Sequence, residues 1–437
     1  MRFFSEGNPM PSSLTSKTVW HLQRGLLLGL MCLFVMLRVD AATLLTLPAA
    51  EQIVVQQNPS LAVFQKKIEA LRHQAVAAAQ LPDPHLSLGA EDLPTNNFSL
   101  NQQQMSMLGV GLSQTFPPFG QLALRRRQLQ QEANAEAASR AERVAELVWF
   151  LRQSWIQAIT IQKELDIVGH QRRLAAITEQ AAMAAYRAGR VGQADVLRSQ
   201  LAREDLVNDI DQLQAQRRSE TARIAQLLNL SSLPELVDDW PDLPKPPSLT
   251  ALQSQLVGHP ALQAAAAQDR AADLGVRAAR RDYLPSITVS ASYGRDFVPG
   301  SPNWLSVGIN LSLPIFPADR QDQTVAAARA KSFAARDEYD ELHLALERQA
   351  RSAFAHYQAA QAEYQRSHQV LLPTARRVFR TALVEFTTGR ARMEEVLQAQ
   401  NAVLDLALKT LKFRRDRALR IAELDFLATQ NQGAPRT

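Results

Sequence analysis

Val110–Pro117 reads VGLSQTFP and Val307–Pro314 reads VGINLSLP, two copies of one pattern almost two hundred residues apart. Each alternates apolar with small or polar side chains, the period of a β-strand with two different faces. Upstream of the first copy, Leu86, Leu88 and Ala90 alternate with Ser87, Gly89 and Glu91, and the polar stretch Asp92 to Gln104 separates the two runs. Upstream of the second, Ile287, Val289, Ala291 and Tyr293 alternate with Thr288, Ser290 and Ser292, ahead of an expected loop from Gly294 to Trp304. Two β-hairpins are therefore expected, at 84–116 and 285–314. Strands of about ten residues with one apolar and one polar face have the length and period of transmembrane strands, with lipid outside and water inside. A small soluble sheet packed on helices alternates in the same way, and one hairpin alone would favour that reading. Two matching hairpins favour the membrane. The candidate lipid-facing residues are Leu86, Leu88, Val110, Leu112, Ile287, Val289, Val307, Ile309 and Leu311.

Outside the strands the 437-residue chain is helical in character. Hydrophobic residues make up 46% and aromatics 6%, with abundant Ala, Gln, Arg, Glu and Leu, a composition of long helices and coiled coils. The N-terminus carries Arg24, the apolar run Gly25 to Leu37, and the small-residue sequence Val39-Asp40-Ala41, which reads as a signal peptide over 1–41. The run is too short for the ~20 residues that span a bilayer as a helix. The one cysteine, Cys32, lies inside this leader, so disulfide and thiolate chemistry are not expected of the mature chain. Basic and acidic residues are interleaved along the helical faces, which argues against a nucleic-acid partner.

Helical periodicity runs from near Ala49 to about Gln80, from Gln121 to Ala188, from about Gln193 to Leu230, from Ala318 to a break at Pro373, and on to Thr429. At normal helical rise, 121–188 would be roughly 100 Å long, beyond any compact domain. Tyr186–Gln200 (YRAGRVGQADVLRSQ) and Phe386–Gln400 (FTTGRARMEEVLQAQ) align without a gap at the joints of two helical hairpins. The chain thus divides into a first repeat (42–230, tip near 189–193), a Pro-rich linker (231–248), a second repeat (249–430, tip near 389–392) and a frayed tail (431–437). Four strands cannot close a barrel around water, and an open sheet edge in lipid leaves backbone groups unpaired at several kcal/mol each. Three copies would supply twelve strands, enough for an aqueous bore. The expected fold class is an α+β membrane protein, a trimeric 12-stranded β-barrel continued by a long α-helical coiled-coil barrel.

The duplicated Gly189-Arg190 and Gly389-Arg390 turns, with DVLRSQ and EVLQAQ after them, the Leu-Pro before each hairpin and the Phe-Pro or Leu-Pro after each second strand resemble the TolC-like outer-membrane efflux family over about Leu47 to Thr429. The resemblance implies a homotrimer in the outer membrane of a Gram-negative bacterium, in contact with its lipid. It also implies docking with a periplasmic adaptor and an inner-membrane RND-type pump. LPDPHLSLGAEDLP followed by FSLNQQQMSMLGVGLSQTFP looks most like the subunits of heavy-metal exporters of the cobalt-zinc-cadmium and copper type. An exit duct for drugs or for type I protein secretion shares the fold; a periplasmic adaptor would lack the paired strands.

No enzyme constellation, cofactor motif or metal site is visible, since no two histidines have ligand spacing with a supporting carboxylate. Met105 and Met107 are read as loop end and strand start, not as a copper-binding pair. The resemblance places the periplasmic gate at the helical tips. By position, Glu395 matches the first acidic residue after the second turn, and Gln398 stands where a second acid is expected. Asp195 is the first-repeat counterpart of Glu395. Arg190 and Arg390 are candidate ion-pair partners, and Gly189, Gly192 and Gly389 form the turns offered to the adaptor. Both acids also suit the first turn of a helix through its dipole, which is a purely structural alternative.

Overall fold

Asn58 and His259 each precede a proline, and both take extended backbone (φ −69°, ψ 121° and φ −61°, ψ 134°) because the proline ring disfavours a helical residue before it. The expected helix over 49–80 is consequently two: α1 (Leu47–Gln57) and α2 (Pro59–Ala77). Asn58 caps α2, its side chain accepting the Ser60 N–H at 3.1 Å. The structure is a computed structural model and describes residues 44–103, 105–189, 191–388 and 390–430; the expected signal peptide and the tail 431–437 lie outside them.

A small unit, described through Leu45 and Pro234–Val237, has Leu45 bridged in parallel to Leu236. The larger unit holds the remaining elements. Its sheet comprises β1 (His85–Glu91), β2 (Met107–Phe116), β3 (Ser286–Asp296) and β4 (Trp304–Ser312), antiparallel throughout in the order β1-β2-β3-β4. The expected loop 294–304 is shorter, because β3 runs on to Asp296 and β4 starts at Trp304. Pairing of Tyr293 with Leu305 and of Gly294 with Trp304 extends the ladder.

The helices are α3 (Gln121–Arg187), α4 (Gln193–Leu228), α5 (Leu249–Gln255), α6 (Pro260–Ala279), α7 (Gln321–Arg366), α8 (Leu372–Thr387) and α9 (Met393–Leu427). None among the described residues is long and apolar enough to cross a membrane. α3, with 67 residues, is unbroken. Near the sheet it lies between α2 and α6, with α7 beyond; further on it packs against α4 and α9. Its stretch Leu151–Ile161 is buried nearly all round, including Trp155 and Ile156. Ile156 packs with Ala418 and Ala422 of α9, and Trp240 and Leu243 of the linker close over them. A second cluster joins Leu252, Leu256, Leu262, Leu346 and Leu424. A third, Val168 and Ala175 with Leu206, is flanked by Leu404 and Leu408.

The break expected at Pro373 falls earlier, as a π-turn over Ser367–Leu371 between α7 and α8. Proline lacks an N–H and its ring clashes with the carbonyl four residues back, so the helix widens ahead of it. Ser367, fully buried in that turn, shares a 2.6 Å hydrogen bond with the Thr410 hydroxyl of α9. The polar contact holds the returning helix against the widened turn.

Candidate functional site: an apolar sheet face and two helical tips

The register decides which side chains share a face. Leu86, Leu112, Ala291 and Val307 form one row across the four strands, and Leu88, Val110, Tyr293 and Leu305 the next. Phe116, Ile287 and Leu311, and then Val289 with Ile309, continue the same face. The nine apolar residues singled out in the sequence all lie on it, between 39% and 77% exposed. Leaving such side chains in water costs about 1.5–3 kcal/mol each relative to burial. A contiguous patch this size marks an interaction surface.

The opposite face is small and polar. Ser87, Gly111, Ser292 and Ser306 form one row, with Gly89, Gly109, Gly294 and Trp304 next to it. A Cβ on Gly294 would stand 2.2 Å from Met107 Sδ, so this row admits the thioether only because position 294 has no side chain. Met105 and Met107 are separated by this arrangement: Met107 is buried at the start of β2, whereas Met105 lies in the loop with a left-handed φ of 79°. Asp296 holds that loop, accepting the N–H of Met105 at 3.3 Å and of Val298 at 2.8 Å. Among the described residues no three His, Cys, Asp or Glu side chains converge as metal ligands do.

At the first tip, Gly189 takes φ +67°, a left-handed value glycine adopts freely, and donates its N–H to Tyr186 O. Asp195 accepts the Gly192 N–H at 3.3 Å through its carboxylate, capping α4 at the place where the helix dipole favours an anion. It pairs with Arg198 at 3.2 Å. At the second tip, Arg390 and Ala391 both donate backbone N–H groups to Glu385 O. Glu395 pairs with Arg392 at 3.4 Å. The acids therefore find Arg198 and Arg392; Arg390 is exposed with no ion pair among the described residues, and Arg190 and Gly389 lie outside them. An arginine three residues along a helix from an acid comes within reach of it. Gln398 is exposed one turn beyond Glu395. The valine of each motif anchors its tip, Val196 and Val396 being buried.

Two polar centres nearer the middle of the helices had no local signature. Arg152 of α3 donates to Glu51 of α1 at 2.6 Å and also to Asp425 of α9. His259, 1% exposed, caps α6 by accepting the Ala261 N–H at Nδ1 and meets Phe426 edge-on, and its Nε2 has no partner among the described residues. Burial holds its pKa below the usual histidine value.

An open sheet with an exposed apolar face, carried on helices of 35 to 67 residues, matches the subunit architecture expected of a TolC-like fold. A family model described as outer membrane efflux protein matches residues 251–429. The cobalt-zinc-cadmium resistance protein CzcC of Cupriavidus metallidurans is 24% identical over 376 residues, covering 85% of this chain and 87% of its own. The solved structure of CusC, described in terms of transmembrane channel formation, superposes with a TM-score of 0.75 at 16% identity over 88% of this chain and 92% of that one. The Campylobacter jejuni CmeC outer membrane channel does so with a TM-score of 0.75 at 15% identity, over 89% and 87%. The family model covers the second half of the chain, and the solved structures show that the chain has their fold.

Proposed function

We propose that three copies of the chain close their sheets into one twelve-stranded barrel, with β4 of each copy pairing with β1 of the next, and that the channel exports heavy-metal cations delivered by an RND-type inner-membrane pump through a periplasmic adaptor. The observation that carries the channel is the pairing of an exposed apolar face with two unsatisfied strand edges, which lipid tolerates only in a closed barrel. On this reading the Leu86–Val307 row faces lipid and the Ser87–Ser306 row faces water. The two repeats, 42–230 and 249–430, each contribute one hairpin to the barrel and one helical tip to the periplasmic mouth, where Glu395 narrows the pore and the Gly turns meet the adaptor.

The cargo rests on the likeness to CzcC along most of both chains. On the face assigned to the lumen the Ser87 and Gly89 rows are uncharged and the next row carries Glu91 and Asp296, a lining that suits hydrated cations in transit. Tolerance of a deletion strain tests it. Loss of resistance to cobalt, zinc, cadmium or copper, restored by the gene in trans, supports metal export. Unchanged metal tolerance with heightened drug sensitivity moves the cargo to drugs.

A further inference from the structure

Below the apolar face, on the same side of the molecule, a groove of about 960 Å³ continues it toward the helices. Its upper wall is Phe116 and Ile287, the last pair of the apolar face, with Leu81, Leu284 and Phe119 around them. All five are at least 40% exposed, and Phe119 is 88% exposed. The lower wall is the first turns of α3, where Ala123, Arg126 and Gln130 recur at helical spacing and Arg127 stands beside them. No acidic residue lines the groove, and neither Arg126 nor Arg127 takes part in an ion pair among the described residues. Two adjacent exposed guanidiniums thus stand at the foot of an apolar cleft with no carboxylate in its lining.

We propose that this groove binds one anionic glycerophospholipid of the periplasmic leaflet, its acyl chain against Phe116, Ile287 and Phe119 and its phosphate on Arg126 and Arg127. The depth agrees. Arg126 lies five residues into α3, about 7.5 Å along its axis, comparable with a headgroup layer of about 5–8 Å. Aromatic side chains at the edge of the apolar band suit the membrane–water interface, and paired guanidiniums suit a phosphate. The groove is lined by the segment after α2, by β2, β3 and α3 and by the turns joining them, all of a single chain. The second repeat carries Phe316, also 88% exposed, after its last strand.

The proposal rests on the lipid-facing reading of the sheet, which insertion of the same preparation into liposomes tests separately. Purified trimer in detergent is titrated with phosphatidylglycerol, phosphatidylcholine or inorganic phosphate, and bound lipid is read by native mass spectrometry. Wild type should retain phosphatidylglycerol in preference to phosphatidylcholine. The Arg126→Gln/Arg127→Gln variant should lose about thirtyfold in phosphatidylglycerol affinity, on the order of fivefold per arginine. Arg126→Lys/Arg127→Lys should keep most of it, and Arg125→Gln, whose side chain lines a different groove, should change nothing. Equal retention of the two lipids by wild type, equal phosphatidylglycerol affinity in wild type and the Gln variant, or displacement of the lipid by millimolar phosphate would overturn the proposal. Should the Gln variant fail to assemble, the wild-type lipid preference and the Lys variant decide. Liposome insertion with no anionic preference would leave the channel reading standing and the lipid site refuted.

Discussion

Ser87 and Leu88 are neighbours in sequence on opposite faces of β1: Leu88 pairs with Val110 on the apolar face, and Ser87 stands beside Gly111 on the polar one. Lysine at the two positions should therefore act oppositely. Leu88→Lys places a charge in the apolar band, at a cost of about 2–4 kcal/mol near mid-membrane, and should sharply reduce folded trimer in outer-membrane fractions. Ser87→Lys should assemble normally and lower cation conductance in planar bilayers. Equal trimer yields for both would contradict the assignment of faces.

Arg152 ties α1 to α9 through Glu51 and Asp425, with its side chain only 15% exposed. Arg152→Ala leaves two carboxylates facing each other without their cation and should lower unfolding stability by about 3 kcal/mol per chain. Replacing Glu51 by Gln keeps an acceptor and should cost much less. Chemical denaturation of the trimer distinguishes the two.

His259 occupies in the second repeat the cap position that Asn58 holds in the first. Its pKa is depressed by burial, so the unfolded chain takes up a proton near pH 6.5 that the folded chain resists. Stability from this site is complete above that value and is lost as pH falls below it, at up to about 1.4 kcal/mol per pH unit per chain. His259→Asn keeps a capping oxygen and should flatten the profile between pH 5 and 7. Thermal melts across that range supply the check.

Glu395 lies in the first turn of α9 beside Arg392. If its three copies ring the periplasmic constriction, Glu395→Ala should weaken block by divalent cations on the order of tenfold, at roughly 0.5 kcal/mol per carboxylate. Asp195→Ala should act on stability instead, because that carboxylate caps α4. Unchanged single-channel conductance and block in Glu395→Ala would leave Glu395 a helix-terminus residue only.

Local chemistry was legible from residues alone. Period-two alternation put Leu86, Leu88, Val110 and Leu112 on one face, because neighbouring side chains on a strand must point in opposite directions. The repeated Gly-Arg turn located the two tips, since a left-handed residue such as Gly189 needs glycine. The tertiary structure decided what depends on partners distant in sequence. The order β1-β2-β3-β4 joins strands of different repeats. The Arg152–Asp425 pair spans 273 residues, and the lipid groove is assembled from β2, β3, α3 and the segments beside them. At the tips, Asp195 and Glu395 each had more than one arginine in reach by sequence, and helix geometry selected Arg198 and Arg392. Periodicity is a property of one segment and survives in the sequence; register, ion-pair choice and cavities belong to segments brought together, and only folding specifies them.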